Sequence, residues 1–144
     1  MIASLPDVNI WIALVAEGHV QHLPARARFA EQPAASVAFR RITQMGLLRL
    51  LTNSHVMGGA PRTIRQAWGT FEQLRADRRL IFATEPDLVE PAWRQHMTQP
   101  GVGPISWTDA YLAAFAESHS FSLVTFDKGF ERWPTLKLRL LSTG

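Results

Sequence analysis

Hydrophobic and polar positions along the chain alternate between two periods, one suited to short buried strands and one suited to helices. Residues 2–5 predict a short strand that stops at Pro6. Ile10, Ile12, Ala13 and Leu14 predict a buried helix over 9–17. A second helix is expected over 23–31, with Pro24 in its first turn, where proline is tolerated. Residues 35–39 predict a strand. Ile42, Met45, Leu48 and Leu51 then fall on one stripe and predict a helix over 41–51. Asn53, Gly58, Gly59 and Pro61 mark 52–62 as a loop. Ile64, Ala67, Trp68, Phe71 and Leu74 give the apolar face of a helix over 63–76. A strand over 80–83, a helix over 87–98 and a Pro- and Gly-rich loop over 99–104 follow. A helix over 107–118 and strands over 122–126 and 136–141 complete the order.

Strands separated by helices predict an α/β fold on a parallel sheet with right-handed crossovers. The 144 residues suit one domain, and no repeat, linker or low-complexity tract divides them. No apolar run exceeds seven residues, whereas a membrane-spanning helix needs about 20. The N-terminus lacks the basic and apolar regions of a signal peptide. A cytoplasmic protein without membrane contact is expected. The absence of cysteine excludes a disulfide scaffold, a zinc–thiolate site and a thiol nucleophile.

Charge changes the picture only modestly. The net charge is +3, and thirteen of the fifteen basic residues are arginine. Arginine grips phosphate through a planar fork, so this composition suits a nucleic-acid or acidic partner. A GC-rich coding sequence produces the same bias, and composition alone does not separate the two.

The five aspartates carry more information, because three share an address. Asp7 follows the first predicted strand, Asp127 follows the strand over 122–126, and Asp109 lies in the first turn of the helix over 107–118. In open parallel sheets, sites form outside the carboxyl ends of the strands. Carboxylates gathered there without Cys or His suit Mg²⁺ or Mn²⁺, which take oxygen ligands. Displacement at phosphorus by activated water is the chemistry that uses such a site. Each aspartate also has an ordinary reading. Asp7 can cap a helix, Ser106 and Asp109 have capping-box spacing, and Asp127 begins the turn sequence Asp-Lys-Gly.

Four segments add a resemblance. Pro6-Asp7-Val8-Asn9-Ile10-Trp11, Trp107-Thr108-Asp109-Ala110-Tyr111-Leu112 and Leu123-Val124-Thr125-Phe126-Asp127-Lys128-Gly129-Phe130 resemble signatures of the PIN-domain family, in particular its VapC-type toxins. The segment from Arg41 to Asn53 resembles the family's stretch after the second strand. The resemblance runs end to end. It implies a single PIN-like domain over 1–144, a three-layer α/β/α sandwich with a parallel sheet of about five strands. It also implies a Mg²⁺- or Mn²⁺-dependent endoribonuclease toxin acting on RNA, a homodimer, and inhibition by a cognate small antitoxin. Carried over residue by residue, Asp7, Asp109 and Asp127 are the expected catalytic metal ligands. Many relatives have a glutamate in the segment after the second strand, where Gln44 is aligned here as a neutral site-lining residue. A catalytically weak module that binds RNA or a partner, or another metal-dependent phosphohydrolase, are the alternatives.

Around these residues, Asn9, Thr108 and Thr125 are candidates to line or support the site. Their plain readings are a polar helix start, a helix cap and a β-branched strand residue. Arg41 and Arg49, on the helix of Gln44, are candidates to contact RNA phosphate, or form a solvated face. His19 and His22 have helical ligand spacing but no third partner nearby. Gly58-Gly59 lacks the rest of a phosphate loop. Trp68, Trp93, Trp107 and Trp133 are candidates to stack on bases, with core or partner surface as the plain reading for Trp68 and Trp93.

Overall fold

The computed structural model describes residues 3–142. One sheet contains β1 (Ser4–Pro6), β2 (Val37–Phe39), β3 (Leu80–Phe82), β4 (Ser122–Thr125) and β5 (Leu138–Leu140). Their order is β3-β2-β1-β4-β5, with every neighbouring pair parallel. The helices are α1 (Val8–Val15), α2 (His22–Ala30), α3 (Arg41–Leu51), α4 (Ile64–Arg75), α5 (Val89–Met97) and α6 (Trp107–His119). Side-chain alternation along β2 separates two cores. Val37 and Phe39 pack with residues of α1, α3 and α4, whereas Ala38 packs with residues of α6. The three-layer sandwich expected from the sequence is therefore present. Among the described residues, no helix is long and apolar enough to cross a membrane.

The helix over 41–51 has the expected bounds; the other elements differ slightly at their ends. Ile2 of the first predicted strand lies outside the described residues. Pro6 ends β1 instead of stopping it one residue earlier, because the Asp7 N–H takes up the ladder by bonding to Val124 O at 2.9 Å. α1 starts at Val8 and ends at Val15, where Ala16 turns extended (φ −99°, ψ 100°). β2 begins only at Val37 because Ala35 has a positive φ of 54°, outside extended geometry. Thr63 caps α4 in a capping box with Gln66, so the expected helix is shorter by its two caps. Gly58 and Gly59, at φ 61° and 84°, turn the expected loop where a side chain would be strained. A short 3-10 turn, Lys128–Arg132, joins β4 to β5 where a crossover helix would be usual.

Strand order places the functional crevice. The chain steps from β1 outward to β2 and β3 through α1 to α4. It then crosses back past β1 to β4 through α5 and α6, which contribute to the other core. The direction of winding reverses between β1 and β4. A crevice opens at the carboxyl ends of such a pair.

Candidate active site

Asp7 leaves β1 in an extended conformation (φ −76°, ψ 174°) and caps α1. Its Oδ1 accepts the N–H groups of Asn9 at 2.9 Å and Ile10 at 3.2 Å. The register sets Pro6 beside Val124, so Asp7 meets Thr125 at the end of β4. The Thr125 hydroxyl donates to Asp7 Oδ2. The same hydroxyl oxygen accepts the Asp127 N–H at 2.9 Å, tying the two aspartate turns together. Asp127 Oδ1 in turn accepts the Gly129 N–H at 2.8 Å. Thr125 is fully buried, so it supports the site from behind.

These carboxylates are electrostatically perturbed. Asp7 is only 3% exposed, and burial pushes its carboxyl up to about 6. The bonds from Thr125, Ile10 and Asn9 oppose that rise, and the charge of Asp109 adds to it. Burial also raises the Asp109 carboxyl, the Asp127 charge raises it further, and the Arg132 guanidinium pulls it back. Charges thus act between Asp7 and Asp109 and between Asp109 and Asp127.

All three aspartates line one cleft of about 360 Å³, together with Asn9, Thr108 and Arg49. Arg132 is a cation that sequence reasoning missed. It donates to Ser106 Oγ at 2.7 Å and to Gly129 O at 2.6 Å, bridging the approaches to Asp109 and Asp127. Its signal is its place one short turn beyond Asp127. Ser106 does not form the expected capping box. It ends a 3-10 turn (Pro104–Ser106) at φ −92°, ψ 3°, instead of adopting an extended cap conformation.

Two expected residues lie elsewhere. Gln44 is buried off the cleft, with its Oε1 accepting from Arg41 Nη1 at 2.6 Å. The Arg41 guanidinium stacks 5.0 Å over Phe82, the last residue of β3. Helical spacing explains the correction. α3 presents Ile42, Thr43, Met45, Gly46 and Arg49 to the cleft, and Gln44, opposite the centre of that face, does not line it. Gly46 is the α3 position in the cleft lining that carries no side chain, and an added Cβ there would come within 3.0 Å of Val8 Cγ2.

The histidine pair serves local structure. His19 Nδ1 accepts the Gln21 N–H, and His22 Nδ1 bonds to Ala13 O. Trp133 is core, whereas Trp68 and Trp107 are exposed.

An oxygen-only set of three carboxylates fits a hard divalent cation. Among the described residues, no three acidic or histidine side chains are drawn into a ready-made ion cage. Mutual repulsion of the carboxylates opposes such closure, and a cation would relieve it.

The family model for the PIN domain matches residues 4–136. Ribonuclease VapC41 of Mycobacterium tuberculosis is 43% identical over 143 residues, covering 96% of this chain and 98% of the relative. The crystal structure of Mycobacterium tuberculosis VapC20, described as a Sarcin-Ricin loop cleaving toxin, matches with a TM-score of 0.71 at 17% identity. That match covers 95% of this chain and 99% of the other. VapBC2 from Rickettsia felis, solved bound to a promoter DNA fragment, matches with a TM-score of 0.69 at 16% identity, over 98% and 100% of the two chains.

Proposed function

The chain belongs to the PIN-domain family, and on that premise we propose that it is a VapC-type endoribonuclease toxin dependent on Mg²⁺ or Mn²⁺. The observation that carries the reading is the gathering of Asp7, Asp109 and Asp127 in one cleft at the sheet's switch point. The 43% identity to a ribonuclease over nearly the whole chain supports RNA as the substrate.

Asp7, Asp109 and Asp127 would hold the cation. When bound, it supplies a Lewis acid that acidifies water and stabilises charge developing at phosphorus. Thr125 fixes the Asp7 carboxylate by its hydroxyl and fixes the Asp127 turn by the same oxygen. Arg49 lines the cleft and offers a planar fork to phosphate oxygens, and Arg132, its Nε and Nη1 held by Gly129 O and Ser106 Oγ, adds positive charge at the border. Binding through them weakens as salt rises. The likeness to VapBC structures supports a cognate antitoxin as the neutralising partner, and the family resemblance supports a homodimer.

The test is cleavage of labelled RNA by purified protein with Mg²⁺, with Mn²⁺ and with chelator. Asp7→Asn and Asp109→Asn are expected to remove cleavage while circular dichroism stays unchanged. Cleavage that survives chelator or either substitution sinks the metal assignment. Hydrolysis of small phosphate esters without RNA cleavage would instead identify another phosphohydrolase. Co-expression with the neighbouring reading frame tests the antitoxin, and sedimentation tests the dimer.

A further inference from the structure

The apolar stripe of α3 has four members, and the fold uses three of them. Ile42 packs against one core, and Leu48 and Leu51 belong to the other. Met45 is left 54% exposed and lines the carboxylate cleft. Gly46 explains how α3 comes so close to the site. Val8 Cγ2 lies where it would come within 3.0 Å of a Cβ at position 46, so the missing side chain lets Val8 pack against the helix backbone. Val8 directly follows Asp7 and opens α1. The turn of α3 that carries Met45 is thus held against the start of α1. Arg49 lies one helical turn beyond Met45 and lines the same cleft.

The cleft therefore joins three kinds of surface. Its carboxylates suit a hard cation, Arg49 suits phosphate, and Ile42, Met45 and Leu112 form an apolar part that suits neither. A nucleic-acid backbone answers the first two through its charge, and its bases alone offer apolar faces to the third. A thioether is flexible and polarisable and has no strong hydrogen-bonding group, so it meets the face of a base and does not read its edge. That face is free only where the base is unpaired and unstacked. Apolar contact grows with the area removed from water, which favours the larger face of a purine. We propose that Met45 is a specificity-determining contact for an unpaired purine base adjoining the phosphodiester in the cleft. The proposal rests on the ribonuclease reading given above.

The test measures binding of labelled oligoadenylate, oligouridylate and an abasic strand of the same length, in an Asp7→Asn background with Mg²⁺, which removes turnover. Met45→Ala is expected to weaken oligoadenylate binding about 3- to 20-fold, as loss of the half of a methionine side chain now in water would. Oligouridylate should lose less, and the abasic strand nothing. Met45→Leu, which keeps volume and apolar character, should restore most of the oligoadenylate affinity. The slope of affinity against salt should not change, because no phosphate contact is removed. Unchanged oligoadenylate binding by Met45→Ala overturns the proposal. An equal loss on all three strands also overturns it, because a general distortion of the cleft does not distinguish bases. The competing occupant is an apolar side chain of a protein partner. If Met45→Ala releases the co-expressed product of the neighbouring reading frame and leaves oligoadenylate binding intact, the base contact is overturned. Cleavage by the unsubstituted chain separates the two readings. RNA cleaved with Met45 dispensable ends only the base contact, whereas RNA neither bound nor cleaved ends the ribonuclease reading itself.

Discussion

Replacing Asp7 by Asn is expected to stabilise the metal-free protein while removing cleavage. Asp7 is buried, and its carboxyl rises from the usual 3.8 to about 6 in the fold. At 1.36 kcal/mol for each pH unit, that difference is a native-state cost of roughly 3 kcal/mol once Asp7 is ionised in both states. The sign follows from proton counting. Between pH 3.8 and about 6 the folded protein keeps a proton that the unfolded chain has lost. Stability therefore falls as pH rises through that window, and the full cost is present above it. Asparagine carries no charge, yet its Oδ1 can still accept the Asn9 and Ile10 N–H groups that Asp7 holds at 2.9 and 3.2 Å. Its amide would donate to Thr125, whose hydroxyl now donates to Asp7. The helix cap is thus kept; Asp7→Ala would lose it, at a cost of about 0.5–2 kcal/mol. Urea unfolding followed by circular dichroism, in chelator from pH 4 to 7.5, measures the effect. Asp7→Asn should gain up to roughly 3 kcal/mol at pH 7.5 and nothing near pH 4. A destabilised Asp7→Asn, or a difference independent of pH, would refute the argument that Asp7 is held at a desolvation cost.

Gln44→Glu should leave Mn²⁺ affinity in calorimetric titration unchanged, because position 44 lies off the cleft and meets Arg41. Gly46→Glu should tighten Mn²⁺ binding about 10- to 100-fold, a range typical of losing or gaining a supporting group. It should also lower the apparent melting temperature, since its Cβ crowds Val8 at 3.0 Å. Arg132→Ala should reduce the salt slope of RNA binding by about 1, as loss of one phosphate contact does; an unchanged slope would remove Arg132 from the phosphate path. Thr125→Val should lower kcat for RNA far more than it raises KM, because it frees Asp7 and the Asp127 turn without touching the cleft surface.

Much of this protein was legible in the sequence because the signals are local. The stripe through Ile42, Met45, Leu48 and Leu51 defined α3 without reference to any other segment. Thr63 and Gln66 carry the whole chemistry of the α4 start within four residues. Asp7, Asp109 and Asp127 stood out because each follows a strand or opens a helix, and the fold gathers them in one cleft. Other features depended on rotation and register. Spacing alone did not decide which side of α3 faces the carboxylates; packing against the sheet turned Gly46 inward and Gln44 away. The link between Asp7 and Thr125 spans 118 positions and exists only because β1 and β4 are paired in parallel register. Ser106 shows the same division. Its spacing to Asp109 suggested a cap, but the preceding 3-10 turn fixed its backbone and left its hydroxyl to Arg132. Composition and periodicity determine which elements form, because those choices are made over a few residues. The electrostatics of the site arise from groups distant in sequence, whose separation, burial and mutual charge are set only when the sheet closes.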